Sequence, residues 1–204
     1  MVEEQQTKRP IFTPIVLILL TFSLIGNVFL YTKTLQNAQT DRIKQGTEIL
    51  QAGNGAKQFL SQAVAEIDSL LSHQDIVSRL TAKSRLIAAY RQASELTLFV
   101  NEAEAVNGKQ FPAAKRGAAE FVNQTLASLQ AIGNHEGALS SGETAYLNGI
   151  LQVFKACQSE LASFQHDTIN QEQSLIILVD SAWPVTAGKL LGLMNEPDNL
   201  VFQP

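Results

Sequence analysis

Between Arg9 and Lys33 lie 23 consecutive residues without a charged side chain. Residues 14–33 read PIVLILLTFSLIGNVFLYTK, with Pro10 and Pro14 at the front of the stretch. A helix from Ile15 to Tyr31 rises about 25 Å, and one begun at Ile11 about 30 Å, near the hydrocarbon thickness of a bilayer. No other feature narrows the choice of folds as far. A cleavable signal has a shorter apolar core, about 7–15 residues, followed by small residues before the cut. Here Gly26 has Leu24 two places before it and Ala38 has Gln36, so neither supplies the small-x-small pattern. No cysteine lies near the end of the stretch for a lipid-modified cut. The expectation is a retained anchor over residues 11–32, preceded by a polar tail, residues 1–10.

Orientation rests on a near tie. Lys8 and Arg9 precede the span, while Lys33, Arg42 and Lys44 follow it. Positive charges near the membrane favour the cytoplasmic side, and here they barely decide. A short tail ahead of a first apolar segment ordinarily stays inside. The N-terminus is therefore expected in the cytoplasm, and the remainder on the outer side of the cell membrane. Thr21, Ser23, Gly26 and Asn27 are the small or polar members of the span. Hydroxyls can bond back to their own helix, whereas Asn27 has two readings: water serves it near the outer end, or it marks a contact with another membrane helix.

About 170 residues follow the anchor, enough for one domain with a hydrophobic core. The net charge is −4, and no Lys/Arg cluster is interleaved with aromatics, so nucleic acid is not an expected partner. Cys157 is the only cysteine and cannot form an internal disulfide, which excludes a disulfide-built module.

Glycine and proline gather between long stretches, as in a helical protein. Thr34 to Ala52 extends the anchor helix, and Gly53-Asn54-Gly55 is expected to end it. Leu60, Val64, Ile67 and Leu71 then form one apolar face. Asp75 is placed to cap a long helix over Ile76 to Val106, whose second half repeats Leu86, Ala89, Ala93, Leu96, Val100 and Ala103. Asn107-Gly108 stops it, and Pro112 suits the first turn of the next helix, which runs to about Ile132 with Ala118, Val122, Thr125 and Leu129 on one side. Residues 133–143, GNHEGALSSGE, are loop-like and close with Ser140 and Glu143 at capping-box spacing. Leu147, Ile150, Phe154, Cys157, Leu161 and Phe164 alternate by three and four. Leu175 and Leu178 keep the phase, so this helix is expected to reach about Asp180, although Thr168 and Gln171 fall on the same face. Trp183-Pro184 then breaks it ahead of a short terminal helix. No segment alternates with period two. The expected fold is all-α: a bundle of four or five helices over residues 33–182, with an apolar tail at 183–204.

Chemistry is sparse in this pattern. Heptad phase buries Cys157 among Ile150, Phe154 and Leu161, a setting for an inert thiol. His73, His135 and His166 each have an acid close by in sequence, yet none shows the i, i+4 or E-x-x-H spacing of metal ligands on one helix face. Phosphate loops, dinucleotide fingerprints and nucleophile elbows fail on inspection. Glu102 and Glu104 are two apart on one helix and point in different directions, so they form no dyad. No catalytic, cofactor or metal site is expected. Arg79, Lys83, Arg85 and Arg91 read as a basic stripe, either a solvated face or a patch for an anionic ligand or partner. The tail has two readings: it folds back on the bundle, or it offers Trp183, Leu190, Leu191, Leu193 and Met194 to a partner.

The layout of short polar start, single anchor and exported helices resembles the N-terminal region of YpeB-type spore-germination proteins, over about residues 10–180. The segment LSSGETAYLNGILQVFKACQSEL carries most of the likeness. The family's long C-terminal repeats have no counterpart in these 204 residues, so a role in holding a cell-wall lytic enzyme gains no support. The resemblance implies an endospore-forming bacterium and a protein-binding task.

The sequence thus points to a non-catalytic, single-pass membrane protein whose helical domain binds an envelope protein, or a second copy of itself. The alternative is an extracytoplasmic four-helix domain that senses a small ligand and signals through a partner.

Overall fold

The computed structural model describes residues 12–108, 110–111, 115–198 and 200–202. The polar start, Ile11 and Pro112 lie outside them. All regular structure among the described residues is helical, and the chain divides into two compact units, Met1–Arg42 and Ile43–Pro204. Helix α1 (Phe12–Ser72) contributes to both.

In the first unit every described side chain from Pro14 to Arg42 is exposed. An 18-residue window of α1 reaches a mean hydropathy of 2.2 with none of it buried in protein, so the helix is long and apolar enough to cross a membrane. Two of its threonine hydroxyls bond back within the helix: Thr21 Oγ1 donates to Leu17 O at 2.8 Å and Thr32 Oγ1 to Val28 O at 2.9 Å. Asn27 lies on the exposed helix surface.

The second unit packs the rest of α1 with six further helices: α2 (Ile76–Ala89), α3 (Ala93–Asn107), α4 (Ala118–Ala131), α5 (Ser141–Leu161), α6 (Gln171–Ile177) and α7 (Ala182–Asn195). Local signals set several ends. The Asp75 side chain accepts from Ser78 N and opens α2. Gly108, at φ 67°, closes α3 in the left-handed region that glycine enters freely. Ser140 and Glu143 complete the capping box of α5.

Several expected boundaries are corrected. First, Gly53-Asn54-Gly55 does not end α1. A Cβ on Gly53 would stand 2.3 Å from the Phe164 ring, and one on Gly46 would stand 1.8 Å from Ser174 O. Seven residues apart, the two lie on one helix face, where they admit the chain that follows α5. Asn54 Nδ2 donates to His166 O at 3.0 Å, and Lys57 pairs with Asp167 at 3.1 Å. Here the glycines serve close packing.

Second, the helix expected over 76–106 is divided by a 3-10 turn at Tyr90–Gln92. Tyr90 is buried there, donates to Thr125 Oγ1 at 2.9 Å and meets Phe59 edge-on at 5.1 Å. The fourth helix likewise starts late, at Ala118, with Gly117 extended before it.

Third, α5 stops at Leu161. Phe164 is still buried, but the polar positions at Thr168 and Gln171 are spared a place in the seam. Asn170 instead accepts from Gln173 N at 2.8 Å and caps the separate α6. Pro184 does not break the chain that follows; it falls in the first turn of α7, where its missing N–H costs little.

The core is one continuous apolar cluster. Phe59 meets Phe154 at 5.8 Å, Phe154 meets Phe121 at 5.9 Å, and Phe99 meets both Phe164 at 5.1 Å and Trp183 at 5.4 Å. Helix α7 packs on α3, α4 and α5. Trp183, Leu190, Leu191 and Met194 are buried and Leu193 is half-buried, so the tail folds back and these side chains are spent on the core. They are not presented to a partner. Beyond α7, Leu200 O accepts from Ser128 Oγ at 3.0 Å and from Tyr146 Oη at 2.9 Å, which fastens the described end between α4 and α5. Together α6 and α7 are also apolar, but they bend by 66° and bury the same core residues.

Candidate functional site

Helix α2 has two apolar faces. One turns Ala82, Leu86 and Ala89 into the core. The other carries Val77, Leu80, Ser84 and Ile87 at three–four–three spacing, a seam of the kind one helix offers another. This seam is open: Val77 is 71% exposed, Leu80 46% and Ile87 36%. Beside it lies a depression of about 370 Å³ lined from α2 by Leu80, Lys83, Ser84, Ile87 and Ala88, with Arg91 at one end and Asn134 across from it.

The opposite wall is held by buried charge. Of the four basic residues expected on a surface stripe, Arg79 and Lys83 are buried, which corrects that reading; Arg85 and Arg91 are exposed. Lys83 Nζ donates to Gln130 O at 2.6 Å, to Ile132 O at 2.8 Å and to Asn134 Oδ1. It thus caps the carbonyl end of α4, where the helix dipole favours a cation. Burial lowers the Lys83 pKa, and the Glu143 carboxylate opposes that shift. Arg79 Nη2 donates to His135 O at 3.0 Å, while its Nε and Nη1 have no hydrogen-bond partner among the described residues.

Glu143 is the anion of the cluster. Its Oε1 accepts from Gly133 N at 2.7 Å, and its Oε2 accepts from Ser140 N and from His135 Nε2, each at 2.8 Å. Burial pushes its carboxyl pKa up, but the Gly133 N–H, then His135 and Ser140, outweigh burial and hold it at about 2. The His135 pKa is raised, first by the Glu136 carbonyl at Nδ1 and then by Glu143. Both ring nitrogens face oxygen acceptors, which favours the doubly protonated ring.

Chemically, this cluster anchors. Lys83 meets three oxygens, and Glu143, its carboxyl pKa held at about 2, stays ionised at neutral pH. Their effect is to fix residues 132–140, and through Lys83 to place Asn134 on the wall beside α2. Sequence reasoning found the Ser140–Glu143 half by its spacing. It missed Arg79 and Lys83, although their i, i+4 separation, with no acid from Ile76 to Ser94, marks one face of α2 for counter-charge from elsewhere.

The remaining candidates stand apart. Cys157 is fully buried, and burial pushes its thiol pKa up to about 12. His73 Nδ1 lies 2.7 Å from Ser69 O, and His166 Nε2 pairs with Asp180 at 3.1 Å. Thus His135 and His166 pair with Glu143 and Asp180, not with the adjacent Glu136 and Asp167. Among the described residues no three His, Cys, Asp or Glu side chains converge on one point. A second apolar depression, about 440 Å³, lies where Val106 and Phe111 face Val179, Pro184 and Val185. No protein-family profile, curated protein or solved structure matches the chain.

Proposed function

We propose that this chain is a single-pass membrane protein whose helical domain binds another protein of the cell envelope without catalysing a reaction. The observation that carries the reading is the second apolar face of α2, left open although the core is complete without it. The span keeps its N-terminus in the cytoplasm and holds residues 33–204 on the outer side of the cell membrane. Its length and hydropathy support a membrane crossing, and the resemblance in layout to YpeB-type proteins would imply a binding task. Asn27 is the span's own candidate contact with a membrane helix.

A photo-crosslinking residue at the exposed Ser84, introduced into the full-length protein in living cells, tests the reading. An adduct with one dominant second protein is the expected result, and it should disappear in Leu80→Ser/Ile87→Ser. Only lipid adducts, or none, would remove the interaction reading.

A further inference from the structure

The apolar span of α1 is not uniform around its circumference. Val16, Leu20, Ser23, Asn27, Leu30 and Thr34 recur at four–three–four–three–four spacing and share one face, about 27 Å long at 1.5 Å per residue. The opposite face carries Ile18, Phe22, Ile25 and Phe29, all large and apolar. Every one of these side chains is exposed. The hydroxyls of Thr21, Thr32 and Thr34 bond back to carbonyls of their own helix, whereas the Asn27 amide has no hydrogen-bond partner among the described residues. Asn27 stands about 9 Å before Lys33, inside the hydrocarbon if the span is retained. An amide at that depth is costly unless a second group bonds it.

Resting on the membrane-span part of the reading above, and not on the α2 seam, we infer that this face of α1 pairs with the same face of a second copy of the chain. The two spans lie parallel, with their Asn27 amides bonded to each other. Two properties select a second copy. All copies enter the membrane in one orientation, so their Asn27 side chains meet at the same depth. A carboxamide carries both donor and acceptor, so two of them across a two-fold axis can exchange a pair of N–H···O bonds. A helix of another protein would need its own polar group at that level. The rest of the face suits such a pair. Its spacing, 3.5 residues on average, is that of a left-handed parallel coiled coil, in which a lone core Asn fixes register and oligomeric state. Ser23, one turn inward from Asn27, is small enough to let the backbones approach, and Leu20 and Leu30 pack on either side. No charged residue falls in the seam, since Lys33 lies about 100° round the helix from Thr34. Ile18, Phe22, Ile25 and Phe29 are left to the lipid.

Cysteine oxidation in carbonate-washed membranes from cells making the full-length protein reads the contact face. Cys157 is buried, so the parent chain serves as the blank. With copper–phenanthroline as oxidant, Ser23→Cys and Leu30→Cys should each give a disulfide-linked species of twice the chain mass. Ile25→Cys and Phe29→Cys, on the opposite face, should give little. Adding Asn27→Leu should lower the Leu30→Cys dimer yield about threefold to tenfold, and Asn27→Gln, which keeps the carboxamide, should largely retain it. Equal yields from the two faces, no dimer at any position, or a product whose mass includes a different protein would overturn the inference and leave the membrane span standing. A yield unchanged by Asn27→Leu, the result if water serves the amide, would overturn it as well. Chain recovered only in the soluble fraction would sink the span and the inference together.

Discussion

The Glu143 carboxylate accepts from Gly133, Ser140 and His135, and this sets how the fold responds to acid. Its pKa in the fold, about 2, lies below the ordinary 4.5. The stabilisation it contributes, about 3 kcal/mol, is therefore complete above pH 4.5 and is lost as pH falls through the folded value. His135 acts in the opposite sense. Its raised pKa gives a contribution complete below 6.5 and lost as pH rises through its folded value. Urea unfolding followed by the single, buried Trp183 should show wild-type stability dropping between pH 4.5 and 2. Glu143→Gln should cost about 2 kcal/mol at pH 7 and flatten that acid limb. An unaltered limb would mean another carboxylate carries it. At this scale the sequence was half legible. Asp75 and the Ser140–Glu143 pair announce themselves by spacing to a backbone N–H a turn away. Arg79 and Lys83 look solvated because their counter-groups lie some fifty residues further along the chain, in a loop without periodicity.

Helix phase was readable and helix length was not. Leu86, Ala89, Ala93, Leu96, Val100 and Ala103 are all buried, across a 3-10 turn that the pattern did not betray. Such a turn shifts the phase by only part of a residue, so apolar spacing survives it. The α5 seam is buried from Leu147 through Phe164 although the helix has already ended. Periodicity is a local signal, whereas these breaks are fixed by what packs opposite. The glycines of α1 show the same limit, since a glycine that ends a helix and one that admits a neighbour are alike in sequence. Two substitutions separate the cases. Gly53→Ala should destabilise by about 1–3 kcal/mol, because its Cβ would meet the buried Phe164 ring that pairs with Phe99. Gly149→Ala, in α5 with nothing within 4 Å, should stabilise by about 0.5–1 kcal/mol. Equal effects at the two positions, read from urea midpoints, would deny Gly53 its packing role. The tail was legible only as two alternatives. Its composition suits a core helix or a partner anchor equally, and contacts with α3, α4 and α5 decide for the core.

For the whole molecule, the helical class and the apolar first helix were plain from the charge-free stretch and the absence of period-two alternation. The interaction surface was not, because Val77, Leu80 and Ile87 read as ordinary members of an amphipathic helix until the core face of α2 is known. The proposed function depends above all on a retained span that places the helical domain outside the cytoplasm. Cys157, buried and with its thiol pKa pushed up to about 12, leaves the native protein nearly silent to thiol reagents. A Gln152→Cys variant, exposed on α5, gives a single reporter. The decisive measurement is labelling of this variant in intact cells with a membrane-impermeant maleimide, followed by fractionation and intact mass. The account predicts label before lysis, in the membrane fraction, on a chain that retains the apolar segment. Label only after lysis, or label on a soluble product shortened by the apolar segment, would contradict it.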